Sequence, residues 1–303
     1  MINCFKTSFR PAFRTTLWLL RIMLPITLFV SILQYYGVIS WAAQYLNPLF
    51  MYLGLPGSSS IVFLTAASLT TYAGIAVMLT MELTMRESTI LAVMALLCHA
   101  LPMESAVMRK VGSNALTMSV LRIAAALAAA VYLNIVLPDM EGHLLRMSSS
   151  ESASSLLAIL EEWFFSSLRI SAVLLSLIYF LMVLQRILDK YGIMRMLERP
   201  LRPLMLFFGL PENAAYLWIV GNVLGISYGS AVMIDLEEAG KITPEQANEA
   251  NYHLAMNHSM LEDTLVFAAI GVSAVWVLST RILFAFIVVW GRKLLKKVNC
   301  LCR

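Results

Sequence analysis

Six apolar runs, at about 15–36, 58–80, 113–137, 164–188, 212–234 and 272–294, limit what this chain can fold into. Each is longer than the roughly 18 to 20 residues that a helix needs to cross about 30 Å of hydrocarbon. Composition agrees with that reading. The chain is 60% hydrophobic and 13% charged, with a mean hydropathy of +0.78, where a soluble domain carries about 25% charged residues. A lipid-facing sheet edge would leave backbone groups unsatisfied, and the short alternating segments of a β-barrel are missing. The expected fold is an all-α integral membrane protein.

The loops assign sides. Lys and Arg mark the cytoplasmic flanks of spans, which places inside the N-terminal Lys6, Arg10 and Arg14, the segment with Lys190, Arg195, Arg199 and Arg202, and the C-terminal Arg292, Lys293, Lys296 and Lys297. The linker at 138–162 is Ser-rich, with Asp139, Glu141, Glu151, Glu161 and Glu162 against Arg146, and belongs outside. The first run is too long for the h-region of a cleaved signal and lacks a small-x-small site, so it reads as a retained span. Four cysteines, Cys4, Cys98, Cys300 and Cys302, give no disulfide framework. The expected location is a bacterial inner membrane, crossed several times, with both termini cytoplasmic.

The halves resemble each other. "NPLFMYLGLP" at 47–56 matches "RPLMLFFGLP" at 202–211 (211 − 56 = 155), and "TYAG" at 71–74 matches "SYGS" at 227–230 (227 − 71 = 156). His99 falls on His258, Glu104 on Asp263 and Arg122 on Arg281 (258 − 99 = 159), a drift read as two small insertions. A duplicated unit with an odd number of crossings must enter the membrane upside down the second time. The expected organisation is a first repeat at 1–137, the external linker at 138–162 and a second repeat at 163–303. Each repeat would hold about three spanning helices, an interfacial helix (40–53 or 193–208) and a re-entrant or short helical hairpin, the first with His99, Pro102 and Glu104 near its tip. Such inverted repeats are common in secondary transporters, whose substrates bind near midplane where broken helices meet. A duplicated scaffold without transport is the alternative.

Charged groups inside a membrane are costly and usually face a cavity or a partner. Those expected there are His99, Glu104 and Arg122 from one half, and His258, Glu262, Asp263 and Arg281 from the other. Asn222, Asn257, Tyr72 and Tyr228 join them as candidate substrate-binding groups. Imidazole with carboxylate suits divalent transition metals, which makes His99, Glu104, His258 and Asp263 the candidate metal ligands, with Cys98, Met103, Met256 and Met260 as nearby soft donors. The two Arg could instead lock the halves together by pairing with the carboxylates. The polar stretches at 68–74 and 221–230 admit two readings, close helix packing through Gly and Ser or a helix break that offers backbone to a solute. H-E-x-x-H is absent, His with carboxylate does not specify a reaction, and the chain is not read as an enzyme.

The segment "RPLRPLMLFFGLP", the span "GNVLGISYGSAVMIDLEEAGKITPEQA" and the helix ending in "NHSMLEDT" resemble the Gate, or nucleoside-recognition, family. Members occur among concentrative nucleoside transporters, ferrous-iron permeases and bacterial sporulation membrane proteins. The likeness covers about 195–275, and reaches the first half through the repeat. It implies transport or gating by two inverted units without choosing a substrate. No G-x-x-x-x-G-K-[ST] phosphate loop is present to couple transport to a nucleotide. The expected substrate is a divalent metal cation, with a nucleoside or other small organic solute as the alternative. No resident cofactor is implied. The expected partners are the lipid bilayer, a small solute or ion and a second copy in a homodimer, with no nucleic acid.

Overall fold

The structure, a computed structural model, describes residues 2–140, 144 and 156–301. Most of the acidic linker, including Glu141, Arg146 and Glu151, lies outside the described residues. Helices follow one another in the order α1 (Ile2–Tyr35), α2 (Val38–Tyr52), α3 (Ser60–Ser68), α4 (Thr71–Met78), α5 (Met85–Cys98), α6 (Leu101–Lys110) and α7 (Ala115–Val136). After the linker come α8 (Leu156–Lys190), α9 (Ile193–Phe207), α10 (Ala215–Leu224), α11 (Ile226–Glu238), α12 (Pro244–Asn257), α13 (Met260–Ala269) and α14 (Ala274–Leu301). There is no strand among the described residues, and the fold is that of an all-α membrane protein.

The elements recur in register. From α2 and α9 through α4 and α11 the starting residues differ by 155 (193 − 38; 215 − 60; 226 − 71), and from α5 and α12 onward by 159 (244 − 85; 260 − 101; 274 − 115). The drift is thus one four-residue step between α4 and α5, where α11 runs longer than α4, and not two insertions. The "TYAG" and "SYGS" pairing is also one residue out. At 155, Gly74 falls on Gly229 and Ala66 on Gly221, and these are the residues that touch. A Cβ on Gly74 would lie 2.6 Å from Ala66 Cβ, and one on Gly229 would lie 3.1 Å from Gly221 Cα. In each half two short helices cross at a small-residue contact. Tyr72 therefore corresponds to Ser227 rather than Tyr228.

The runs 58–80 and 212–234 are not continuous spans. The first divides at Leu69–Thr70, where the Thr70 side chain accepts from Ala73 N–H, and the second at Gly225 (φ 89°, ψ 175°). Each stretch thus contains both a break and a close crossing of small residues. Among the described residues, four helical elements are long and apolar enough to cross a membrane: Met85–Lys110, Ala115–Val136, Leu156–Leu188 and Ala274–Val298. A fifth is formed if Gln44–Tyr52 and Gly57–Ser68, bent by 96°, count as one. The expected three spans per repeat are thus not all continuous helices. The first hairpin also differs from expectation. α5 and α6 run on as one interrupted apolar element, Met85–Lys110, instead of folding back, because Pro102 sits in the first turn of α6, where it starts a helix without kinking it. The sharp bend lies at the Gly-Leu-Pro of 54–56.

α5, α7, α12 and α14 form the centre, each packed against the other three, while α1 pairs with α8 alongside. α5 is apolar all round and buried from Ser88 to Cys98, as a helix with no polar face should be. α12 occupies the corresponding place with a polar sequence, so Asn251, His253 and Asn257 are buried with it. Capping boxes start both helices, Thr84 with Glu87 and Thr243 with Gln246.

The α3–α4 crossing gives a direct expectation. Gly74→Ala inserts a methyl where Ala66 already sits and should destabilise by about 1–3 kcal/mol. Combining it with Ala66→Gly should recover most of the loss. Thermal unfolding of the purified variants in detergent, followed by retention of the size-exclusion peak, measures both.

Candidate functional site

Two interruptions face each other at the centre. α5 stops at His99, whose backbone is extended (φ −84°, ψ 161°), and Ala100 turns left-handed (φ 45°) before α6 begins. α12 stops in the same way at His258 (φ −93°, ψ 167°), with Ser259 at φ 48°. Ala100 and Ser259 are the described non-glycine residues with positive φ, a conformation that costs roughly 1–2 kcal/mol and persists where surroundings impose it. The surroundings here are the small-residue crossings. Ala100 N–H donates to Ala66 O at 2.9 Å and Ser259 N–H to Gly221 O at 3.0 Å.

An interrupted helix leaves carbonyls without intrahelical donors, and buried side chains supply them. Arg122 Nε donates to Leu97 O at 2.9 Å, and Arg281 Nε to Met256 O at 3.3 Å, while Arg281 NH2 reaches His258 O. Both guanidinium groups are fully buried. Each also meets the carboxylate in the first turn of the next helix: Arg122 NH1 lies 2.7 Å from Glu104 Oε2, and Arg281 NH1 lies 3.3 Å from Asp263 Oδ2. A cation over a helix C-terminus and an anion in a first turn both complement the helix dipole. The Arg122 contact is an ion pair by distance, without the alignment of a hydrogen bond, and Arg122 NH2 is left without a partner.

The imidazoles complete the caps. His99 Nδ1 lies 3.2 Å from Ala95 O and 3.1 Å from Leu96 O, and His258 Nδ1 lies 2.7 Å from Leu254 O. A carbonyl only accepts, so each Nδ1 carries a proton, and Nε2 is the ring atom left to face the partner side chains. The two Nε2 atoms are 3.2 Å apart, and Glu104 Oε1 is 2.9 Å from one and 3.2 Å from the other. Three atoms that can each offer an electron pair thus converge. Either a shared proton or a bound cation satisfies this arrangement. The spacings of 2.9–3.2 Å are those of hydrogen bonds and lie a little below the edges of about 3.3 Å expected around a tetrahedral metal with bonds near 2.0–2.1 Å, so a small outward movement of the side chains would seat an ion.

The structure therefore brings together His99, Glu104 and His258 from the candidate metal set, their ligand atoms all within 4.8 Å of one another. Asp263 is not in that group. It is one methylene shorter than Glu104, and its carboxylate turns to Arg281. Cys98 is likewise not in that group, Met103 is 58% exposed, and Met256 is packed in the apolar core. Glu262 Oε1 accepts from Tyr72 Oη at 2.8 Å, across the two halves. Asn222 Nδ2 donates to Trp218 O at 2.8 Å while its Oδ1 is buried without a partner, and neither amide atom of Asn257 has one. The Tyr228 side chain lies outside the described residues.

Two features escaped the sequence reading. His253 is buried, its Nδ1 3.3 Å from Trp218 Nε1 and its Nε2 without a partner; the equivalent position is Met94 (253 − 159), so the repeat gave no hint of it. Gly225-Ile226-Ser227-Tyr228-Gly229 also has the form G-x-S-x-G. It spans the break between α10 and α11, with no strand beside it, whereas the hydrolase signature works at a strand-turn-helix elbow.

Comparison with known proteins places these features in a family. The Gate family, described as nucleoside recognition, matches residues 16–114. The match falls on the first half, not on the 195–275 stretch that carried the resemblance in the sequence. An uncharacterized membrane protein of Bacillus subtilis (strain 168), YvoD, is 30% identical over 283 residues, 91% of this chain and 89% of its own length. No solved structure matches significantly.

The capping role of Arg122 is testable through its partner. Arg122→Met should destabilise by about 3–5 kcal/mol, because it strands the Glu104 carboxylate in the bundle. Arg122→Met with Glu104→Gln should be less damaging than the single change. Unfolding midpoints in a double-mutant cycle report the coupling.

Proposed function

The chain belongs to the Gate family of membrane proteins, and from that premise we propose that it is a transporter carrying a divalent metal cation through a site between two inverted repeats. The cluster of His99 Nε2, His258 Nε2 and Glu104 Oε1 carries this reading, because three buried groups within 3.2 Å of one another, two imidazoles and a carboxylate, form a ligand set suited to a divalent cation. Glu104 and His99 come from one repeat and His258 from the other, so a bound ion would sit on the seam. Interrupted helices suit this task, since their ends can line a solute path only where protein satisfies the remaining backbone.

The repeats would comprise residues 1–137 and 163–303, inverted in a bacterial inner membrane with both termini cytoplasmic, and a second copy of the chain is the proposed partner. The recurrence of elements at offsets of 155 and 159 supports the repeat, and the Lys and Arg distribution supports the inversion. A nucleoside or similar organic solute is the second reading. The family description favours it, as do the unpartnered buried amide atoms of Asn222 and Asn257, which could hydrogen-bond a base or sugar.

Binding of Zn²⁺, Mn²⁺ or Co²⁺ against uridine and adenosine, measured calorimetrically on the purified protein, separates the readings. The metal is expected to bind, with an affinity that falls as the solution is acidified, because protons compete with the metal for its ligands. His99→Gln with His258→Gln should weaken metal binding by at least about 100-fold. Saturable nucleoside binding with no metal response promotes the second reading.

Inversion has its own check. Gly37 and Gly192 are equivalent positions before α2 and α9, both with open space around the Cβ site. Single cysteines there are expected to react with an impermeant maleimide from opposite faces, Gly37→Cys from outside and Gly192→Cys from the cytoplasm. Labelling of both from one face rules out the inversion.

A further inference from the structure

The carboxylates of the centre are unequally matched. Glu104 pairs with Arg122 and Asp263 with Arg281, each within its own half. Glu262 has no cationic side chain within ion-pair distance among the described residues. Its contact is the neutral hydroxyl of Tyr72, brought by α4 from the opposite half. It stands beside Asp263 in the first turn of α13 and is partly exposed, where Asp263 and the cluster residues are buried. The equivalent position in the first half is Met103 (262 − 159), which is 58% exposed and cannot hold charge. Equivalence by the repeat therefore does not explain the acid. Pairing with a base does not explain it either.

We propose that Glu262 is an outer cation-binding carboxylate that receives the ion and passes it to His99, Glu104 and His258, with the Tyr72 hydroxyl holding the carboxylate in place between passages. The proposal rests on the cation reading of that cluster. An unneutralised carboxylate beside a path raises the local concentration of cations and lowers the barrier to their arrival. The same group lowers the barrier to departure, so it changes rates in both directions while leaving the equilibrium at the inner cluster nearly fixed. Tyr72 links this step to the relation between the halves, since its hydrogen bond holds only while α4 and α13 stay together.

The test is stopped-flow binding of Co²⁺ to the full chain in lipid nanodiscs, read by the visible absorption of the bound ion, together with the equilibrium affinity from a titration. Glu262→Gln is expected to slow association and dissociation alike by about tenfold, with an affinity within about threefold of the starting protein. Glu262→Asp should restore much of the rate, which a folding defect would not. Tyr72→Phe frees the carboxylate and should leave association at least as fast. An unchanged association rate in Glu262→Gln overturns the relay and leaves the cation reading intact. A large loss of equilibrium affinity in Glu262→Gln also overturns it, making Glu262 a ligand of the inner cluster. Absence of Co²⁺ binding by the unsubstituted chain overturns the cation reading itself, and the relay with it.

Discussion

Arg122 and Arg281 make the interrupted helices tenable. A helix that stops inside a bundle at membrane depth exposes carbonyls that lipid cannot satisfy, and the cost of each exceeds that of an ordinary lost hydrogen bond. Each guanidinium donates to the end of one helix and neutralises the first-turn carboxylate of the next. The imidazoles of His99 and His258 finish the capping through Nδ1. Capping with one ring nitrogen fixes the direction of the other, so the convergence of the two Nε2 atoms follows from a structural need. The alternative in which the Arg residues merely lock charges is thus part of the answer: they are structural, and the structure they hold is the cluster.

Much of this was legible in the sequence, and the failures are instructive. Apolar run length identified the membrane and the all-helical fold. The His, carboxylate and Arg spacing at 159 identified the central residues, because identical chemistry at one offset is hard to produce by chance. The register of α4 against α11 was misread because two tyrosines drew the pairing to 156. The true marker was steric, Ala66 against Gly74 and Gly221 against Gly229, and small residues carry little signal until their neighbours are known. Asp263 was grouped with Glu104 among the candidate ligands by symmetry, whereas its shorter carboxylate lies beside Arg281.

The hairpin expected at 88–101 illustrates a different limit. Proline and flanking charges suggest a reversal of direction, and a proline in the first turn of a new helix gives the same sequence pattern without one. Only the left-handed residue at Ala100, anchored to Ala66 O, determines how the chain leaves the break. Nothing in an alanine announces that role. Likewise the burial of α12, whose sequence is polar, depends on neighbours that periodicity cannot reveal.

The exchange of Met103 for Glu262 gives the centre a polarity that its backbone lacks. The two halves approach the cluster with matching helix breaks, matching left-handed residues and matching arginines, yet one approach carries an acid and a phenol where the other carries a thioether and, at the Tyr72 position, Ser227. If a cation is the solute, it would meet an electrostatic well before the cluster on one side and none on the other. The profile would then be lopsided, fluxes under opposite voltages would differ, and a nearly symmetric scaffold would acquire the electrical character of a rectifier.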